Sequence, residues 1–105
     1  MLILKSLFTV PSDASGSEIV SPLLEKTGLR IESIHSRGQV SPDGFWYDQQ
    51  EDEWVMLAQG GATLEIETQS PVTMRAGDYL LIPKGIKHRV SESSDDAVWL
   101  AIHFS

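Results

Sequence analysis

The chain has 105 residues, 41% of them apolar, enough for one small domain with one core. It contains no cysteine, which excludes a disulfide framework, a thiolate metal site and a cysteine nucleophile. Fifteen acidic residues against eight basic ones give a formal charge of −7, which argues against nucleic acid or an anionic membrane as a partner.

The apolar start "MLILKSLF" is interrupted by Lys5, too early for a signal-peptide core or a membrane span. With cysteine absent as well, a cytoplasmic location is expected. "LILKSLFTV" has the length and content of a strand closed by Pro11, and "PSDASGSE" reads as a loop. "SPLLEKTG" predicts a short helix: Ser21 caps it, Pro22 takes the first helical position and Gly28 ends it. From Leu29 the pattern has period two. "RIESIHS" is a strand, and "RGQVSPDG" a polar loop. "FWYD" and "EWVMLAQ" are aromatic and apolar, and Gly60-Gly61 signals a hairpin. In "ATLEIET", Leu64 and Ile66 share one face. "QSP" turns the chain; "VTMR", "YLLI" and "KHRV" are short strands, and "AVWLAIHF" closes the chain. Eight or nine short strands at regular spacing predict an all-β sandwich or barrel. One domain is expected over 1–105, with an N-terminal strand, loop and short helix over 1–28 and the barrel over 29–105.

Two segments resemble the cupin family of jelly-roll barrels. One cupin motif runs Gly-x5-Pro-x-Gly-x2-His, and Gly77, Pro83, Gly85 and His88 occupy its fixed positions. Another ends Glu-x6-Gly, matched by Glu53 and Gly60. "FWYDQ" is similar to a string found in small single-domain bacterial cupins. The physical roles can be stated independently. Pro83 ends a strand, Gly85 permits a backbone conformation closed to other residues, and the turn delivers His88 to the next strand. Glu53 shares its face with Val55 and Leu57, where a carboxylate needs a cation, a donor or a proton.

The chain departs from the family in the histidine pair that metal-binding cupins place before the glutamate. Depending on register, that pair falls on Tyr47 and Gln49 or on Trp46 and Asp48. What the resemblance leaves is a metal set of Gln49, Glu53 and His88. It would hold one divalent ion (zinc, nickel, manganese or iron) weakly, with water at the open positions. The alternative is a metal-free pair of Glu53 and His88. Tyr47 and Asp48 are candidate ligand-binding residues at a pocket mouth. On the last strand, His103 shares a face with Trp99 and Ala101 and would join His88 if that face looks into the barrel; the four apolar residues Val98, Leu100, Ile102 and Phe104 favour the opposite face as core, which leaves His103 outside. Arg37, Arg75 and Arg89 are candidates for an anionic ligand, but single arginines are usually solvated.

The resemblance implies a homodimer. It also implies a polar pocket for a small molecule. A metal-dependent dioxygenase, isomerase or lyase is the catalytic alternative, and a non-catalytic scaffold or accessory protein the structural one. No Gly-x-Ser-x-Gly turn, Walker loop or dinucleotide-binding pattern is present.

Overall fold

The structure, a computed structural model, describes residues 1–12 and 18–105. Its described residues form eight strands and no helix: β1 Ile19–Lys26, β2 Leu29–His35, β3 Asp52–Gln59, β4 Gly61–Ile66, β5 Gln69–Arg75, β6 Tyr79–Ile82, β7 His88–Ser93 and β8 Val98–Phe104. They assemble as a five-stranded sheet in the order β1-β2-β8-β3-β6 and a three-stranded sheet in the order β5-β4-β7. All pairings are antiparallel.

The helix expected at "SPLLEKTG" is instead strand β1. Thr27 and Gly28 close a hairpin, and Gly28 takes a φ of +74°. The β1–β2 register runs from Lys26↔Leu29 to Ile19↔His35. Pro22 is tolerated because β1 is an edge strand and its register shifts between Pro22 and Leu24. The same three signals, Ser, Pro and Gly, suit a capped helix or a bulged edge strand, and long-range pairing decides between them.

Two further expectations change. No strand forms within residues 1–12. The turn expected at "QSP" lies one step earlier, at Glu67 and Thr68, and Gln69 to Pro71 open β5. The loop expected at "PSDASGSE" falls mostly on residues 13–17, outside the described residues.

The core lies between the sheets. Val55 and Leu57 from β3, Trp99 and Ala101 from β8 and Ile82 from β6 meet Ala62, Leu64 and Ile66 from β4 and Met74 from β5. Leu57 is wholly buried. The predicted alternation of β4 holds, with Leu64 and Ile66 buried. Gly60 turns β3 into β4 at a φ of +83°, and a Cβ there would overlap Ser94 Oγ and lie 3.0 Å from the Ala97 backbone. Gly85 is required for another reason: a Cβ would find open space, but its φ of +79° excludes ordinary side chains. No helix among the described residues is long and apolar enough to cross a membrane.

Candidate functional site

The turn after β6 places His88. Pro83 and Gly85 end the strand, the Gly85 amide donates to the Gln49 carbonyl at 3.0 Å, and the Lys84 amide donates to Asp52 Oδ1 at 2.9 Å. The start of β7 is then pinned across the molecule: Tyr47 and His88 exchange backbone hydrogen bonds of 2.7 and 3.1 Å. Their rings stack at 5.4 Å between centroids. "FWYD" therefore forms a single bridge at Tyr47 rather than a strand.

A cavity of about 180 Å³ opens beside this bridge. Val55, Leu64, Ile82, Val90 and Trp99 form much of its apolar wall. Its polar groups are Glu18, Arg30, Glu32, Tyr47, Gln49, Glu53, His88 and His103. Tyr47, Gln49, Glu53 and His88, all candidates from the sequence, are thus brought together. Asp48, the remaining candidate, is exposed and does not line the cavity.

Glu53 is the hub. It is buried, and both its oxygens face imidazoles: His88 Nε2 lies 3.3 Å from Oε1, and His103 Nε2 lies 3.8 Å from Oε2. His103 Nε2 also approaches Glu32 Oε1 at 3.2 Å. Glu32 Oε2 in turn holds Arg30 at 3.2 Å, and Arg30 reaches Glu51 at 3.1 Å. Imidazoles and carboxylates therefore alternate through the buried layer. His88 Nε2 approaches Glu53 Oε1 as an ion-pair partner rather than an aligned hydrogen bond. Among the described residues, the side-chain oxygen of Gln49 and Nδ1 of His103 are buried without hydrogen-bond partners.

His103 overturns the expectation that it lies outside. Trp99, Ala101 and His103 are the buried face of β8, and the register sets His103 opposite Glu53 on β3 and Arg30 on β2. Leu100, Ile102 and Phe104, half-buried, occupy the outer face, and of the four residues expected in the core only Val98 is buried. Counting apolar residues misassigned the faces because this sheet is apolar on both. Glu18, Arg30 and Glu32 also escaped the sequence reading. The alternation Arg30, Glu32, Ile34 along β2 was the available signal, since Ile34 marks their shared face as inward.

The remaining polar candidates have structural duties. Arg89 donates to Glu65 at 2.6 Å and to the Ser41 carbonyl at 2.9 Å, so it ties the 41–42 loop to β4. Its guanidinium lies 6.0 Å from the Trp46 ring centre. His35 is buried and donates from Nε2 to the Leu7 carbonyl at 3.0 Å, which anchors the N-terminal segment.

The donor set does not suit a dedicated metal centre. Among the described residues no three His, Cys, Asp or Glu side chains are arranged to hold an ion. Of the two pairs the resemblance offers for the histidines, Tyr47 and Gln49 line the cavity, and a phenol and an amide are weak substitutes for imidazole.

Burial opposes the imidazolium form of His88, but Glu53 and the Ile86 carbonyl, 3.2 Å from Nδ1, outweigh it and raise its pKa above the ordinary 6.5. Burial, then the charges of Glu18 and Glu53, raise the pKa of the Tyr47 hydroxyl. Burial also raises the Glu18 carboxyl. A raised histidine pKa contributes stability that is complete below the unfolded value of about 6.5 and is lost as pH climbs through the folded value. The urea midpoint should therefore fall as pH rises above 6.5, and His88→Gln should remove that part of the fall. An identical pH profile for the variant would detach His88 from the effect.

A family model described as "Cupin domain" matches residues 36–103. A crystal structure from Ralstonia eutropha JMP134, described as a putative mannose-6-phosphate isomerase, is 44% identical over 99% of both chains, with a TM-score of 0.92. An RmlC-like cupin with a double-stranded β-helix fold from Methanocaldococcus jannaschii is 18% identical over 98% of this chain and 92% of its own, with a TM-score of 0.69. The TT1209 protein of Thermus thermophilus is 13% identical over 96% of this chain and 95% of its own, with a TM-score of 0.76. No curated protein matches the chain. The two antiparallel sheets, the glycine turn that carries His88 and the family match over most of the length lead to one conclusion: this chain belongs to the cupin family.

Proposed function

We propose that the cavity binds a small polar molecule and moves a proton within it, as an isomerase does. The observation that carries the reading is Glu53, a buried carboxylate flanked by two imidazoles on the wall of the cavity. Paired acid and base groups held apart from bulk water suit proton abstraction beside a carbonyl. In the proposed step the Glu53 carboxylate takes a proton from the carbon next to a carbonyl. The C–H electron pair becomes the C=C bond of an enediol, and the carbonyl oxygen takes a proton from the His88 imidazolium. His88 then recovers a proton from the second hydroxyl as Glu53 returns its own to the neighbouring carbon. The sequence is redox-neutral and needs no further reactant. The description of the Ralstonia eutropha relative as an isomerase supports the reaction class.

The test is proton NMR in D2O with small unphosphorylated aldoses and ketoses, read as loss of the signal from the carbon adjacent to the carbonyl. Exchange that requires Glu53 supports the reading. No exchange across the panel sinks it.

We propose also that two copies of the chain pair through the outer face of the five-stranded sheet. Tyr79 and Leu81 on the edge strand β6 are 65% and 54% exposed, and Trp54 packs beside Tyr79. Leu2 and Leu4 of the N-terminal segment are 100% and 98% exposed, apolar surface that a second copy would cover. Light scattering should give twice the chain mass, and Leu81→Lys should return it to one. A wild-type mass of one chain at all concentrations would end this proposal.

A further inference from the structure

The proposed step uses Glu53 and His88 and leaves a third buried group without a task. His103 is 4% exposed and lines the same cavity. It lies on β8, the strand between β2 and β3, with Glu53 directly opposite on one side and Arg30 on the other. Its two ring nitrogens meet different surroundings. Nε2 is 3.2 Å from Glu32 Oε1 and 3.8 Å from Glu53 Oε2. Nδ1 is buried with no hydrogen-bond partner among the described residues. A neutral imidazole carries one N–H, and the tautomer follows from which nitrogen has an acceptor. Carboxylate oxygens at Nε2 put the proton there, since an N–H at Nδ1 would be a buried donor with no acceptor. His88 is placed differently: the Ile86 carbonyl lies 3.2 Å from its Nδ1, and its Nε2 faces Glu53. The two imidazoles beside Glu53 are therefore not interchangeable.

We propose that His103 is a positioning residue, whose Nε2–H stands between Glu32 and Glu53, spaces the two carboxylates and fixes the direction in which Glu53 points. The shorter approach commits the proton to Glu32, whose other oxygen is held by Arg30. At 3.8 Å, Glu53 Oε2 is beyond an aligned hydrogen bond to the same nitrogen, so Glu53 keeps its oxygens for His88 and the cavity. Arg30 does not replace the wedge, because its guanidinium is turned to Glu32 and Glu51. Two carboxylates that meet with no donor between them repel one another or share a single proton, and either outcome costs the site its base. A donor between them prevents both. The inference rests on Glu53 being the base of the proposed function, and adds that the base owes its placement to His103.

Two measurements on the full chain test it. The first needs no turnover: long-range proton–nitrogen NMR spectra of the 15N-labelled protein at pH 7.5 report which ring nitrogen of His103 is protonated. The Nε2–H tautomer is expected, and Glu32→Gln should move the Nε2 proton shift further than Glu53→Gln does. An Nδ1–H tautomer overturns the proposal, and so does an Nε2 proton that ignores Glu32→Gln. The second measurement compares three replacements in the proton-exchange assay. His103→Gln returns a side-chain N–H near the place of Nε2. His103→Asn is too short to reach it, and His103→Phe supplies bulk without a donor. The Gln variant should keep most of the wild-type rate. The Asn and Phe variants should lose about 10- to 100-fold in kcat with KM little changed, the cost of a misplaced reacting group. If the Phe variant does not fold, the Gln and Asn variants, both polar amides, make the comparison. Equal kcat losses in Gln and Asn would reduce His103 to packing and overturn its role. Absence of exchange in the wild-type chain would sink the isomerase reading alone, and the spectra would still decide the arrangement around Glu53.

Discussion

Glu53→Gln should reduce proton exchange by roughly 10² to 10⁴-fold, the usual contribution of a positioned general base. The substitution keeps the shape of the side chain and removes its charge, so the barrel should survive with an unchanged circular dichroism spectrum. The reason for so large an effect lies in the arrangement around the carboxylate. His88 Nε2 and His103 Nε2 face opposite oxygens of Glu53, at 3.3 and 3.8 Å. No other carboxylate is within 4 Å of His88 among the described residues. Once Glu53 is neutral, burial becomes the dominant influence on His88, and its pKa should drop. Exchange and the His88 titration should therefore fail together, the second read from the imidazole proton shifts between pH 5 and 9. A Glu53→Gln protein that exchanges at the wild-type rate would remove this carboxylate from the chemistry. Loss of exchange with an unmoved His88 titration would leave Glu53 as base and end its proposed partnership with the imidazole.

Leu57→Ala should produce the largest loss of stability among single core substitutions. Leu57 is, among the described residues, the one large side chain with no exposure, and it packs where the two sheets face one another, among residues from β3, β4, β5, β6 and β8. Its backbone is committed as well: the Leu57 amide donates to the Asp78 carbonyl at 2.9 Å, and the Gly77 amide donates to the Leu57 carbonyl at 2.7 Å. The strand cannot slide to fill the space that truncation leaves. A cost of about 3 kcal/mol is expected, within the range for buried leucine. For a domain of this size that lowers Tm by roughly 12–24 °C. Leu57→Met, which nearly conserves volume, should cost less than about 1.5 kcal/mol. Urea denaturation of the three proteins decides the matter. Near-equal losses for Ala and Met would mean that the site relaxes and that rigid packing is not its main contribution.

The two substitutions probe different layers of one strand. Glu53, Val55 and Leu57 alternate along β3 and all point inward. The apolar members hold the sheets together, and the carboxylate at the strand's start meets the cavity. That division was legible from period two alone, as was the requirement that Glu53 find a compensating group. The glycine turn was legible in the same way. Gly85 has the positive φ its position demanded, and His88 is delivered inward as the spacing implied.

Local rules were enough for the all-β class and the period-two strands from Leu29 onward, while Tyr47, Gln49, Glu53 and His88 were singled out by the resemblance to the cupin motifs and line one cavity in the structure. Those rules are alternation, the φ restrictions of glycine and proline, and the cost of an uncompensated charge, and each can be read from a chain without its partners in space. The rest came from tertiary pairing. It made "SPLLEKTG" an edge strand, because pairing with β2 outweighs a helix capped at both ends. It turned His103 inward, because a sheet that is apolar on both faces gives composition no means of telling inside from outside. It brought Glu32, Arg30 and Glu18 to the cavity and left Asp48 outside it. Contacts such as His103 to Glu53, far apart in the chain and adjacent in register, arise only when β8 lies between β2 and β3. The order of strands in a sheet is a long-range choice, and no local pattern in a single chain encodes it.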